Sequence, residues 1–253
     1  MNSLPFTLST YSKTLETALN SGYEFTSFDD HKNEKSLVCL LRHDIDVDLE
    51  AAFEMAKVEA KLGIKSTYFL MLRSPVYNLF SRHNQVFVQK IIDMGHFIGL
   101  HYDEGFQGGD HLDLENWIDF EAKVIEQNFN VKIEVVSFHQ PSHRILNNEI
   151  KLSNFINTYD KEQLAHFHYI SDSNKVWKEQ HPLNIFKEKT YSKLHLLIHP
   201  MWWFTPQDLS TEIIWDNSIR RNLQNAQLQI LNTERAYGQA RDFIIVQKES
   251  KNA

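Results

Sequence analysis

Short apolar runs recur along this chain, and most are followed by a segment with helical spacing. SLVCLL (36–41), IKSTYFLML (64–72), HFIGLH (96–101), IEVVSFH (133–139), HFHYISDS (166–173) and KLHLLIHP (193–200) read as strands. Residues 48–63, 85–95 and 113–129 read as helices between them. The first run is apolar throughout, as expected of a strand buried on both faces. Asp48 suits an N-cap, Gly63 a C-terminal cap, and Gly95 a stop. Strand–helix alternation with short connections predicts an α/β fold, with parallel strands and helices packed outside. Helices are also expected at 8–21, ending at Gly22, and over 208–235. The apolar residues of the latter, Ile213, Ile214, Ile219, Leu223, Leu228 and Ile230, predict that it either covers the sheet or forms a homodimer.

Nothing in the composition breaks the chain into parts. With 253 residues, 8 Gly and 6 Pro, no linker or repeat stands out, and one domain over 1–253 is expected. The net charge of −7 argues against nucleic acid or an anionic membrane as the main partner. The first 20 residues lack a basic start and a long apolar core, so no membrane insertion is expected and the cytoplasm is the default compartment. Cys39 is the only cysteine, so it has no intramolecular disulfide partner and is read as a buried hydrophobe.

Histidine is the outlier, with 13 residues, and four stand at the ends of apolar runs: His43, His101, His139 and His199. In folds with parallel strands, reacting groups collect at the C-terminal strand ends. HDID, HYDE, HQPS and HP all occupy such ends. Side chains alternate along a strand, so Asp44, Asp46 and Asp48 share one face if the first strand continues, while His43 and Ile45 share the other. One carboxylate can then ligate a metal while another takes a proton from water. Asp48 is read as a cap, His96 as core, and His195 as structural and deeper on its strand; His43 stays open.

LLRHDID, GIKSTYFL, GHFIGLH, SFHQPS and LIHP, in that order over roughly 36–203, resemble the polysaccharide deacetylase (NodB-homology) family. Order and spacing fit a branch associated with surface-polysaccharide biosynthesis. The resemblance implies a distorted (β/α) barrel of about seven strands. It also implies removal of N- or O-acetyl groups with one divalent ion, zinc first, with iron, nickel or cobalt as alternatives. The family's aspartate pair falls on RHDID; SFDDH (27–31) matches its spelling but lacks a preceding buried strand. Asp44 would be the base and Asp46 a ligand, with Asp44 as ligand the alternative register. His101 matches the first histidine of the second motif, but Gly105 stands where the family has another. Asp103, Glu104 or His139 must then complete the metal set, and His139 serves either as ligand or as the group that orients the base. His199 matches the late acid.

The implied reaction is hydrolysis of an amide or ester of a sugar or nucleotide-sugar. Alternatives are a non-catalytic sugar- or partner-binding descendant, and a cyclic imide or ureide hydrolase. Arg42 and Arg73 are candidates for binding a substrate carboxylate or phosphate. Asp103 joins them as a substrate contact, and Trp202 and Trp203 are candidates for stacking on a sugar ring. Tyr169, Asp172 and Ser173 occupy another strand end and are expected to line the site.

Overall fold

The computed structural model describes residues 4–30, 36–107 and 114–237. Its elements run α1 (Leu8–Asn20), β1 (Glu24–Thr26), β2 (Val38–Ile45), α2 (Leu49–Lys61), β3 (Thr67–Leu70), α3 (Arg82–Asp93), β4 (Phe97–Asp103) and α4 (Leu114–Phe129). They continue with β5 (Val135–His139), α5 (His143–Leu146), β6 (Ile156–Asn157), β7 (His168–Ser171), α6 (Pro182–Glu188), β8 (Lys193–Ile198) and α7 (Thr211–Thr233). Residues 113 and 31, the start of one expected helix and the end of SFDDH, lie outside the described residues.

The strands are hydrogen-bonded in the order β6-β5-β4-β3-β2-β8-β7, all parallel, and form a distorted (β/α) barrel. Among the described residues no ladder joins β6 to β7, so the barrel has a seam there. One edge of β2 is shared: β1 pairs with Val38, Cys39 and Leu40, and β3 takes over from Arg42 to Ile45. Strand β2 thus runs four residues beyond the apolar run that announces it, and all eight of its residues are buried.

Alternation sorts the core into an inside and an outside. Leu40, Phe69 and Val135 fill the barrel with Phe28, while Cys39, Leu41 and Ile45 face the helices. The Phe69 ring occupies the space beside Gly99, where an added Cβ would lie 2.5 Å from it, so β4 requires glycine at this point. The expected caps are present: the Asp48 side chain accepts from the Ala51 N–H at 3.0 Å, and Gly63 and Gly95 have φ of +71° and +85°. Helix α7 lies over the C-terminal end of the barrel. Arg221 donates to Asp48, and Asn222 Nδ2 donates to the Val47 carbonyl at 2.9 Å. On α7 itself Ile214 is buried, whereas Ile213, Ile219, Leu223, Leu228 and Ile230 stay exposed. Among the described residues no helix is long and apolar enough to cross a membrane.

Candidate active site

The site grows from the inner face of β2. Arg42 and Asp44 follow Leu40 into the barrel, and Asp46 comes just after the strand ends. The next loop holds this backbone in place: Tyr77 donates to the Ile45 carbonyl at 2.8 Å and Ser74 to the Asp46 carbonyl at 2.9 Å. Three side chains then converge from three strand ends. His101 Nε2, from β4, lies 3.0 Å from Asp46 Oδ1, and His139 Nδ1, from β5, lies 3.2 Å from the same oxygen. The two imidazole rings stand edge to face, with centroids 5.3 Å apart. One ligand atom from each of the three residues lies within 4.8 Å of the others.

The tautomer of His101 shows why this group suits a metal ion. Ser137 Oγ donates to Asp44 Oδ1 at 3.3 Å, and His101 Nδ1 lies 2.6 Å from the same hydroxyl. A hydroxyl has one proton to give, so Nδ1–H donates to Ser137. In the neutral ring, Nε2 then turns a lone pair toward the Asp46 carboxylate. Two electron-rich atoms facing each other need a cation between them, a proton or a metal. Two imidazoles and a carboxylate, with one imidazole fixed by a further hydrogen bond, match the donor set of zinc and related ions.

Asp44 sits deeper. Arg42 Nε donates to its Oδ1 at 2.9 Å and Nη2 to its Oδ2 at 2.7 Å, the two-pronged geometry that best fits a guanidinium to a carboxylate. Burial opposes the Asp44 charge, but Arg42, joined by His101 and His199, outweighs it and lowers the pKa to about 2. The guanidinium lies near the Phe69 and Tyr159 rings, 5.4 and 5.0 Å from their centroids, and Nη2 also donates to the Tyr159 hydroxyl at 3.1 Å. Burial likewise opposes charge on Asp46, yet His101 and His139 hold it well below the usual carboxylate range. The bond to Asp46 in turn raises His139.

His199 follows β8 and faces the same centre, with Nε2 4.0 Å from Asp46 Oδ2. Its Nδ1 is 2.6 Å from Asp172 Oδ1. The same carboxylate accepts the His199 backbone N–H at 3.0 Å and the Trp203 indole N–H at 2.8 Å. Burial disfavours the imidazolium, but the Asp172 charge and hydrogen bond, with Asp46 and Asp44 behind them, together outweigh it and raise the His199 pKa to about 9.

The structure corrects several expected roles. Arg42 is fully buried, and its guanidinium is engaged by Asp44 and Tyr159, so it orients a carboxylate in the barrel and meets no surface ligand. Trp202 and Trp203 are 5% and 1% exposed and present no open face to a sugar; Trp203 packs on Phe6 and supports Asp172. Arg73 pairs with Glu121 at 2.5 Å and stacks on the Phe106 ring at 3.7 Å. Asp103 turns back to accept the Gly105 N–H at 2.9 Å, and Glu104 accepts the Ser142 N–H at 2.8 Å. Neither acid belongs to the three-residue group, whose third member is His139. SFDD follows the short, partly exposed β1, too brief to read as a strand from sequence. It sits at the opposite barrel end, where Phe28 packs on Phe69 and His195.

Two residues of the site carry weaker sequence signals. Asp172 stands in YISDS, at a strand end already expected to line the site. Ser137 precedes His139 by two and so shares its face, which is the only sign of it in the sequence.

No sequence-family profile matches the chain, and neither does any curated protein. Solved structures do resemble it. The Streptococcus pyogenes deacetylase PplD, in complex with acetate, is 11% identical with a TM-score of 0.45, over 80% of this chain and 86% of that one. A family 4 carbohydrate esterase from Bacillus anthracis is 13% identical with a TM-score of 0.43, over 84% of this chain and 86% of its own. A CE4 family pseudoenzyme, also from Bacillus anthracis, is 15% identical with a TM-score of 0.43, over 76% of this chain and 62% of that one. Identities this low leave the activity to be argued from the side chains themselves.

Proposed function

We propose that this chain is a metal-dependent hydrolase that removes an acyl group, as an amide or ester, from a sugar or nucleotide-sugar. The observation that carries the reading is the meeting of Asp46, His101 and His139 at one barrel end, with Asp44 and a protonated His199 on either side. The motif resemblance to polysaccharide deacetylases supports the acetyl group as the one removed, and a role in surface-polysaccharide biosynthesis as its setting.

Asp46, His101 and His139 would hold one divalent ion, zinc in this reading. When bound, such an ion supplies a Lewis acid and makes water acidic enough to attack at neutral pH. Asp44 would accept the attacking water's proton. Arg42 fixes its position and lowers its basicity, which exchanges driving force for geometry. His199 carries its proton at neutral pH because Asp172 holds it, and Nε2 is the nitrogen left to give that proton to the departing amine or alcohol. Asp172 also accepts the His199 backbone N–H, so ring and main chain are oriented by one carboxylate. The departure at Gly105 is compatible with this scheme, because β5 supplies the second histidine that β4 lacks.

The test is release of acetate from N- and O-acetylated sugars and their nucleotide conjugates, with Asp44→Asn and His199→Gln beside the parent protein. Turnover that falls in both variants supports the reading. Turnover that survives Asp44→Asn overturns the assignment of the base.

A further inference from the structure

Asp172 orients His199, and something must hold Asp172 in turn. It follows β7, which ends the sheet and among the described residues pairs with β8 alone. Its backbone N–H reaches the Leu197 carbonyl of β8 only at 3.3 Å. Just beyond it the backbone passes through two left-handed residues, Asn174 with φ of +57° and Lys175 with φ of +59°. Asparagine visits this region with some ease, because its short polar side chain can bond locally; lysine does so rarely. Such conformations persist only where the surroundings impose them, and they cluster at functional sites.

Here the Lys175 side chain supplies the constraint. Its Nζ donates to Asp208 Oδ1 at 2.5 Å and to the Leu209 carbonyl, both just ahead of α7. The side chain is only 11% exposed, so the ion pair is weakly screened. The Lys175 backbone N–H donates to the Asp172 carbonyl at 2.8 Å. One residue therefore grips Asp172 through its main chain and the 208–209 segment through its ammonium. The ammonium also lies over the Phe6 ring, 5.4 Å from its centroid. Phe6 packs on Trp203, with centroids 4.8 Å apart, and Trp203 gives its indole N–H to Asp172.

We infer that Lys175 is a positioning residue, which clamps the loop after β7 to the chain ahead of α7 and so holds the Asp172 carboxylate where it orients His199. The inference rests on the reading of His199 as the acid of a hydrolase. Lys175 acts through Asp172, and a small displacement of an oriented group is enough to slow a reaction severely.

The test is Lys175→Met in zinc-reconstituted protein, which removes the ammonium and keeps most of the stem. The kcat for acetate release should fall about ten- to a hundredfold with KM little changed, and Lys175→Arg should restore most of it. In an Asp172→Asn background, Lys175→Met should cost almost nothing more, because the residue it acts through is already disabled. The Trp203 indole N–H signal, assigned by NMR against Trp203→Phe, should shift in Lys175→Met and return in Lys175→Arg. Asp208→Asn changes the exposed partner of the clamp and should give the same pattern more weakly, which covers a Lys175→Met that fails to fold. Parent-like kcat and an unmoved indole signal in folded Lys175→Met would overturn the inference. So would a loss of kcat undiminished in the Asp172→Asn background. A parent protein without turnover would count against the hydrolase reading alone, and the indole signal then decides on the clamp by itself.

Discussion

Two clusters of acids and histidines flank strand β2, one on each side of the sheet. The outer cluster centres on Glu59 of α2. His43 Nε2 lies 2.7 Å from its Oε1, which also accepts the Tyr11 hydroxyl at 2.5 Å and the Tyr68 hydroxyl at 3.0 Å. Ser66 donates to the other oxygen, and His96 Nδ1 stands 3.5 Å from it. Burial works against the Glu59 charge, yet His43 leads a set of partners that keeps its pKa lowered. The inner cluster centres on Asp46, with His101 and His139. Residue types are the same on both faces. The difference is that Glu59 is sealed between helix and sheet with donors on both oxygens, whereas the Asp46 and His139 side chains remain 16% and 27% exposed. A closed, satisfied cluster fixes a fold; an open, convergent one can take up an ion and a substrate.

Mutation should separate the two faces. The largest effect is expected on the inner one. Asp46→Ala removes the oxygen that both histidines address, and it should abolish activity and metal uptake while the protein stays folded. Asp44→Asn should lower kcat by about 10²–10⁴-fold, the usual worth of a positioned acid or base. On the outer face, Glu59→Ala leaves His43 facing an unfilled, buried position and should destabilise by about 3–5 kcal/mol in urea titration. Activity per folded molecule should then change little. Loss of activity without loss of stability in Glu59→Ala would erase the distinction between the faces.

Two pH effects sharpen it further. Asp172 holds His199 at about 9, so Asp172→Asn should let that pKa fall toward its ordinary value near 6.5. The alkaline limb of the kcat profile would then move to lower pH; an unmoved limb would remove His199 as the acid. The smaller effect concerns stability. Burial holds His96, His181 and His195 below the ordinary histidine range, with His181 at about 4. In each case the unfolded chain binds the proton more readily. Stability is therefore full above about 6.5 and declines as pH falls toward the folded values. His199 runs the other way, contributing fully below about 6.5 and losing its contribution as pH rises through about 9. Thermal melts should show Tm falling from pH 6.5 to 4, and falling less in His181→Gln.

The barrel was legible because parallel strands buried on both faces read as unbroken apolar runs. The site was legible because acids and histidines interrupt those runs where the strands end. What escaped has a physical reason in each case. β6 is two residues long, and β1 is three, too short for any period to register. The polar half of β2 hides its strand character, because Arg42 and Asp44 neutralise each other only once folded. Arginine and tryptophan next to a site suggest ligand contact from sequence, and only the packing reveals that Arg42 and Trp203 serve as supports for Asp44 and Asp172. The choice of His139 over Asp103 and Glu104 depends on register between β4 and β5, which places Asp103 beside His139 but turns its carboxylate back to Gly105.

One experiment decides whether Asp46, His101 and His139 form a single metal centre. Metal content of protein purified without an affinity tag, measured by plasma mass spectrometry after reconstitution with zinc, tests it most directly alongside His139→Ala. About one divalent ion per chain is expected in the parent protein, as for a mononuclear site with three protein ligands, and its loss in the variant. No bound ion after reconstitution, or an ion retained in His139→Ala, would contradict it.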